Sequence, residues 1–125
     1  AAETGHLVLG TLHTMSAIKT IDRVISVFPP AEQELVRNMV AESLQIVISQ
    51  RLLKRKGGGR CAAYEVLVTN SGVRNMIREN KLAQIYTAIQ TSSSKGMITM
   101  EQAIEDLAKE GTITAEEGAK YAIDR

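Results

Sequence analysis

QIVISQRLLKRKGGGRCAAYEVLV, residues 45–68, consists of two apolar, β-branched runs on either side of three consecutive glycines. Runs of this composition around a short glycine-containing loop are typical of a β-hairpin, because glycine tolerates the positive φ angles of tight connections. We therefore predict two antiparallel strands that turn at residues 57–59. The basic residues at this turn, Lys54, Arg55, Lys56 and Arg60, are expected to form a solvated hairpin tip. A phosphate or nucleic-acid contact is the alternative, which the lack of interleaved aromatic residues disfavours.

Two amphipathic helices are predicted before the hairpin. The spacing of Ile18, Ile21, Ile25 and Phe28 gives one helical stripe, with Thr14 or Ser16 as the candidate N-cap. Two prolines at residues 29–30 end this helix and can open the next one, since proline is tolerated at the first helical position. The second stripe runs through Leu35, Val36, Met39, Val40 and Leu44.

HLVLGTL, residues 6–12, is rich in leucine, valine and threonine and is predicted to form a short buried strand. It begins with His6 and is followed directly by His13, the two histidines of the chain. On a helix, residues seven apart share a face and could chelate a metal, whereas on a strand an odd spacing places them on opposite faces. Because a strand is favoured, no metal site is predicted.

His13 lies at the carboxyl end of the predicted strand and is followed by a helix. In open α/β sheets ligands bind just outside these strand ends, and an imidazole there can hydrogen-bond a phosphate oxygen. A histidine that is simply packed and hydrogen-bonded at a strand end is the other interpretation. The spacing alone leaves both open.

From residue 70 onward the sequence is predicted to be helical. Asn70 or Ser71 is a candidate N-cap, and Thr99 with Gln102 and Thr114 with Glu117 fit capping boxes of two short final helices. The fold class is therefore α/β: a strand, two helices and a β-hairpin in residues 1–69, then a helical region in residues 70–125.

The composition excludes several classes. Fifteen basic and fourteen acidic residues among 125 give a net charge of +1, which offers no general attraction to nucleic acid. A single cysteine excludes an internal disulfide, and no apolar run reaches the length of a membrane span, so no membrane insertion is predicted. The sequence contains no phosphate-binding glycine-lysine loop and no nucleophile elbow, so local motifs of this kind do not identify a reaction.

Two motifs carry a family resemblance. TGHLVLGTLHT, residues 4–14, resembles the histidine box of the ATPases that power type II secretion and type IV pili. SGVRNMIREN, residues 71–80, is similar to the Ala-Ile-Arg-Asn-Leu-Ile-Arg-Glu motif of the pilus retraction branch, with Gly72, Val73 and Met76 as departures. The resemblance implies the C-terminal part of a RecA-like ATPase domain, with the Walker A and Walker B segments absent from this chain.

The resemblance also implies roles for individual residues. His13 would face the γ-phosphate. His6, the first histidine of the box, would support catalysis through a structural or interdomain role. Thr11 and Thr14 would assist at the nucleotide. The retraction motif contributes the positions tied to motor coupling, namely Arg74, Asn75, Ile77, Arg78 and Glu79.

The full-length enzyme is accordingly expected to be a cytoplasmic homo-hexamer that uses ATP and Mg²⁺ and works with inner-membrane pilus machinery, peripheral to the membrane. The 125-residue chain is expected to bind no cofactor tightly and to be inactive alone. Two alternatives remain: a related pilus assembly or type II secretion ATPase, and a non-catalytic interaction module. Arg74, Asn75, Arg78 and Glu79 favour the retraction branch, as does the absence of a tetracysteine metal segment.

Overall fold

The computed structural model describes residues 2–123 and contains two strands and six α-helices in that range. The strands are β1 (Ile46–Lys54) and β2 (Arg60–Val68). The helices are α1 (Ala17–Ser26), α2 (Pro30–Ser43), α3 (Ser71–Arg78), α4 (Ala83–Gln90), α5 (Met100–Lys109) and α6 (Ala115–Ile123). Short 3-10 turns lie at Ala2–Thr4 and Ser93–Lys95. The α/β class predicted from the sequence is confirmed.

The predicted hairpin forms in full. β1 pairs antiparallel with β2 from Ile46 opposite Val68 to Lys54 opposite Arg60. The turn between them needs glycine, since Gly57, Gly58 and Gly59 have φ angles of 82°, 113° and 77°. Burial alternates strictly along β1, so one face of the hairpin packs inward while the other is exposed.

The turn between the last two helices holds the hairpin tip in place. Gly111 has a φ of 79°, and the amides of Gly111 and Thr112 donate to the carbonyls of Ala108 and Leu107 at 3.1 and 3.0 Å. These two bonds form a Schellman end to α5. The Lys56 amide donates to the Thr112 carbonyl at 2.9 Å, which fixes the basic tip against this turn.

Side-chain caps start several helices at the predicted residues. Ser16 caps α1 and Asn70 caps α3, each by accepting a hydrogen bond from the backbone three residues on. Thr99 accepts from the Gln102 amide at 3.2 Å, but the Gln102 side chain donates to Asp106 instead of returning to the cap. The first capping box is therefore one-sided.

The second box is one-sided as well. Thr114 accepts from the Glu117 amide at 3.1 Å. The Glu117 carboxylate accepts from the Lys54 amide at 3.4 Å and pairs with Lys120, so it joins α6 to the end of β1.

Two hydrophobic cores lie on the inward side of the hairpin. The first is formed by α1–α4 with Val47 and Leu67 of the hairpin, and the second by α5, α6 and the hairpin end near Leu53 and Ala63. The first core joins residues on both sides of position 70, and the domain division placed there stays a prediction. No described helix is long and apolar enough to cross a bilayer.

The strand predicted over residues 6–12 is not formed. Residues 6–13 have no regular secondary structure and are exposed, with Leu7 and Leu9 at 89% and 88%. A strand is stable only when its backbone groups pair with a neighbour, and within residues 2–123 the strand partners belong to β1, β2 and Ile98. The sequence pattern therefore identified an apolar segment correctly, but the strand pairing that it implied is not formed.

Candidate functional site

The histidine segment, residues 5–15, leaves its candidate ligand-binding side chains open to solvent. Gly5 turns the chain with a φ of 91°, and His6, Thr11 and His13 are all exposed. The odd spacing of the histidines does not translate into opposite strand faces here, because no strand forms. Within the described residues no three metal-ligating side chains cluster.

Thr14 ties the end of this segment to the first helix. Its hydroxyl is hydrogen-bonded to the hydroxyl of Thr20, with the two oxygens 2.5 Å apart, and the Thr20 hydroxyl also bonds the Ser16 carbonyl at 2.9 Å. His13 therefore lies four residues before α1, next to a threonine that is tied to that helix. The His13 imidazole and the Thr11 hydroxyl can supply hydrogen-bond donors of the kind that a phosphate accepts. The Thr14 hydroxyl donates to Thr20 in this structure, because Thr20 gives its own proton to the Ser16 carbonyl.

Helix α3 carries the arginine motif, and its first arginine is engaged inside the chain. Arg74 is half-buried, and its Nη1 donates to the carbonyl oxygens of Ala41, Glu42 and Leu44 at 2.5, 3.0 and 3.2 Å. These carbonyls lie at the C-terminal end of α2, where a helix presents unpaired acceptors and partial negative charge. Arg74 thus caps α2 from another helix.

The other motif residues have different surroundings. Arg78 is exposed and its Nη1 donates to the Asn75 Oδ1 at 2.9 Å, while Glu79 forms a surface ion pair with Lys81 at 3.2 Å. Ile77 is fully buried in the first core. The motif therefore divides into an outer polar face and an inner face that holds α3 on α2.

The end of α2 also receives the chain's N-terminal turn. The Ser43 hydroxyl donates to the Glu3 Oε1 at 2.5 Å, next to the carbonyls that Arg74 caps. The 3-10 turn that precedes the histidine segment and the motif helix α3 consequently meet at residues 41–44. The structure does not bring His13 and the motif side chains into contact, but it connects their elements through α2.

Glu65 is a buried polar residue that the sequence reasoning did not single out. Its exposed fraction is 4%, its Oε1 accepts from the Ala17 amide at 2.7 Å, and its Oε2 accepts from the Met100 amide at 3.0 Å. One carboxylate on β2 therefore satisfies the first amides of both α1 and α5. The available signal was a charged residue at an inward position of an alternating strand.

Comparisons with known proteins extend these observations. The family described as type II/IV secretion system protein matches residues 1–57. The Pseudomonas aeruginosa type IV pilus retraction ATPase PilT is 55% identical over 98% of this chain and 36% of its own length. A twitching motility protein of Neisseria gonorrhoeae is 53% identical over 98% of this chain and 33% of its own.

Solved structures agree with the sequence matches. A crystal structure of the pilus retraction motor PilT with bound ADP superposes with a TM-score of 0.84, at 50% identity, over 94% of this chain and 33% of that one. The Legionella pneumophila ATPase DotB shares the fold, with a TM-score of 0.81 at 23% identity over 98% of this chain and 33% of that one.

The chain is thus similar to secretion ATPases, in its sequence over residues 1–57 and in its fold. Over nearly its whole length the chain is similar to PilT-type pilus retraction ATPases, as the two motifs predicted. The chain spans about a third of the length of the curated relatives it matches, at 36% and 33%.

Proposed function

We propose that the protein is an ATP-driven hexameric motor that retracts type IV pili and works in the cytoplasm at the inner-membrane pilus base. The observation that carries this proposal is the extent of the similarity. The retraction-type relatives match 98% of the chain, through both the histidine segment and α3. The Pseudomonas aeruginosa assembly ATPase PilB matches 44% of it, at 40% identity, which favours retraction over assembly.

The nucleotide-facing part of the proposal rests on the polar side chains before α1, of which His13 and Thr11 are exposed and Thr14 is half-buried. His13, Thr11 and Thr14 would lie toward the terminal phosphate, and His6 would support the segment from its other end. ATP supplies the free energy for movement, and Mg²⁺ neutralises phosphate charge when both are bound. The contribution of this chain is a set of hydrogen-bond donors, and its sequence holds no phosphate-cradling loop.

The role of His13 follows from where charge develops during phosphoryl transfer. A donor that interacts more strongly with the transition state than with bound ATP raises turnover without tightening binding. His13 is exposed and lies four residues before α1, whose start is fixed by hydrogen bonds of Ser16 and Thr20, so its imidazole is accessible to a nucleotide. Loss of one such donor typically costs about 10²- to 10³-fold in rate.

Motor coupling is assigned to α3 on the basis of its two faces. The inner face, with Arg74 and Ile77, holds α3 against α2 and the core. The outer face, with Asn75, Arg78 and Glu79, is exposed and free to meet another domain, subunit or pilus-base protein. Arginine suits such a contact because its planar fork binds carboxylates and carbonyl oxygens in fixed geometry.

The experiment compares variants of the full-length protein assembled as the hexamer. His13→Ala should reduce ATP turnover by about 10²-fold or more while nucleotide affinity changes little. Arg78→Ala should keep most ATPase activity and lose pilus retraction in cells. Exposed Lys95→Ala, far from both motifs in sequence, is the control for both assays. Unchanged hydrolysis in His13→Ala would refute the nucleotide-facing role, and proportional loss of both activities in Arg78→Ala would refute coupling.

A further inference from the structure

Residues 14–17 join the histidine segment to α1, and side chains from other parts of the fold hold them; we call them the α1 junction. The Thr14 hydroxyl donates to the Thr20 hydroxyl, with the two oxygens 2.5 Å apart. The Met15 sulfur accepts a hydrogen bond from the Arg51 Nη2 at 3.3 Å, which is a weaker contact because sulfur is a weak acceptor. The chain is therefore attached to the fold from the last residues of the histidine segment onward.

Glu65 makes the strongest of these attachments. Its side chain is 4% exposed, and its Oε1 accepts a hydrogen bond from the Ala17 amide at 2.7 Å. Ala17 is the first residue of α1, where the amides have no partner within the helix and a carboxylate meets the positive end of the helix dipole. Because charge-assisted hydrogen bonds are about twice as strong as neutral ones, Glu65 contributes most to holding the α1 junction in place.

The position of Glu65 is itself fixed by the rest of the fold. The residue lies at an inward position of β2, opposite Ser49 of β1. Its Oε2 accepts a hydrogen bond from the Met100 amide at the start of α5, at 3.0 Å. Both carboxylate oxygens therefore have buried partners, and the α1 junction is held in register with the hairpin and with α5.

We propose that Glu65 is a positioning residue for ATP hydrolysis, which holds the α1 junction and thereby places His13 toward the terminal phosphate. The inference rests on the nucleotide-facing role proposed for His13. The carboxylate bonds to Ala17 and Met100, so it acts on His13 through the backbone of the junction, whose first residue is Thr14. An error of about 1 Å in the placement of a reacting group can cost about 10²-fold in rate, so release of the junction should lower turnover.

Steady-state ATP hydrolysis by the full-length hexamer tests the role of Glu65. Glu65→Gln keeps the shape of the side chain and removes its charge, and we expect kcat to fall about tenfold or more while KM changes by less than about twofold. Glu117→Gln is the matched control. Glu117 is also a buried carboxylate that accepts a backbone amide, from Lys54 at 3.4 Å, but it joins α6 to β1 and its substitution should leave kcat unchanged.

The same substitution in a His13→Ala hexamer separates positioning from a general loss of stability. If Glu65 acts through His13, Glu65→Gln should lower kcat by less than about twofold once the imidazole is absent. Parent-like kcat in Glu65→Gln, or an equal fold-loss with and without His13, would overturn the positioning role and leave the role of His13 intact. An equal loss in Glu117→Gln would have the same meaning. Unchanged turnover in His13→Ala alone would refute the nucleotide-facing role and the positioning role together.

A second variant tests the α1 junction without changing Glu65. Thr20→Val preserves the shape of the side chain and removes the hydroxyl that accepts from Thr14. It should lower kcat in the parent hexamer and leave it unchanged in the His13→Ala hexamer. Size-exclusion chromatography and thermal unfolding verify that each variant assembles and folds. Should Glu65→Gln fail to assemble, Thr20→Val decides in its place, and parent-like turnover in Thr20→Val would then overturn the proposal.

Discussion

Glu65→Gln removes the charge from the carboxylate that joins the starts of α1 and α5 while preserving its shape. Glu65 accepts two buried backbone amides, from Ala17 at 2.7 Å and from Met100 at 3.0 Å. An amide side chain keeps one acceptor oxygen and turns its NH₂ group toward the other backbone N–H. One hydrogen bond is therefore lost, and the other loses its charge.

The magnitude follows from these two bonds. A hydrogen bond to a charged group contributes about 1.5–3 kcal/mol, and a neutral one about 0.5–1.5 kcal/mol. Loss of one charged bond and weakening of the other predicts that Glu65→Gln lowers the free energy of unfolding by about 2–4 kcal/mol. That is a large part of the total stability of a domain, about 5–15 kcal/mol.

Urea unfolding followed by circular dichroism measures this difference. Glu34→Gln is the control, because Glu34 is an exposed glutamate on α2 and its replacement should change stability by no more than about 0.5 kcal/mol. If Glu65→Gln were no more destabilising than Glu34→Gln, the two amide bonds would not stabilise the fold as argued.

Three further outcomes are expected. Arg74→Ala should lower the unfolding free energy by about 1–3 kcal/mol because it uncaps α2, whereas Arg78→Ala should stay within about 0.5 kcal/mol in the same urea assay; equal losses would contradict the cap. Gly111→Ala should cost about 1 kcal/mol, measured by thermal unfolding, because its φ of 79° disfavours a side chain; an unchanged midpoint would count against this. The purified 125-residue chain should release no phosphate from ATP, since phosphoryl transfer depends on a phosphate-binding loop and Mg²⁺, and release above the buffer background would contradict the prediction.

Local signals in the sequence predicted most of the fold. The glycines at 57–59 and the flanking β-branched runs predicted the hairpin. The candidate N-caps Ser16, Asn70 and Thr99 predicted helix starts that the structure confirms. These features depend on a few neighbouring residues, so one sequence contains the information. The strand predicted over residues 6–12 does not form. An apolar run indicates that a segment tends to be buried, whereas a strand also needs a neighbouring strand to pair with.

The site was predictable only in part, for the same physical reason. The motifs marked His13 and Arg74, but no pattern shows that Arg74 would cap α2, since this depends on how two distant helices pack. Glu65 and Arg51 are charged residues at inward strand positions, which an alternating pattern can flag. Their hydrogen bonding differs: both Glu65 oxygens accept from backbone amides, whereas the Arg51 Nε has no hydrogen-bond partner. This difference depends on groups that arrive from elsewhere in the fold.

The convergence at the end of α2 has a consequence for the order of folding. The hairpin closes across a five-residue loop between Lys54 and Arg60, whereas Arg74 meets Ala41 across 33 positions and Glu3 meets Ser43 across 40. Short loops lose less entropy on closing and form faster than long ones. We expect the hairpin to be an early structure and the junction at residues 41–44 a late one, so that substitutions at the junction accelerate unfolding more than they slow folding.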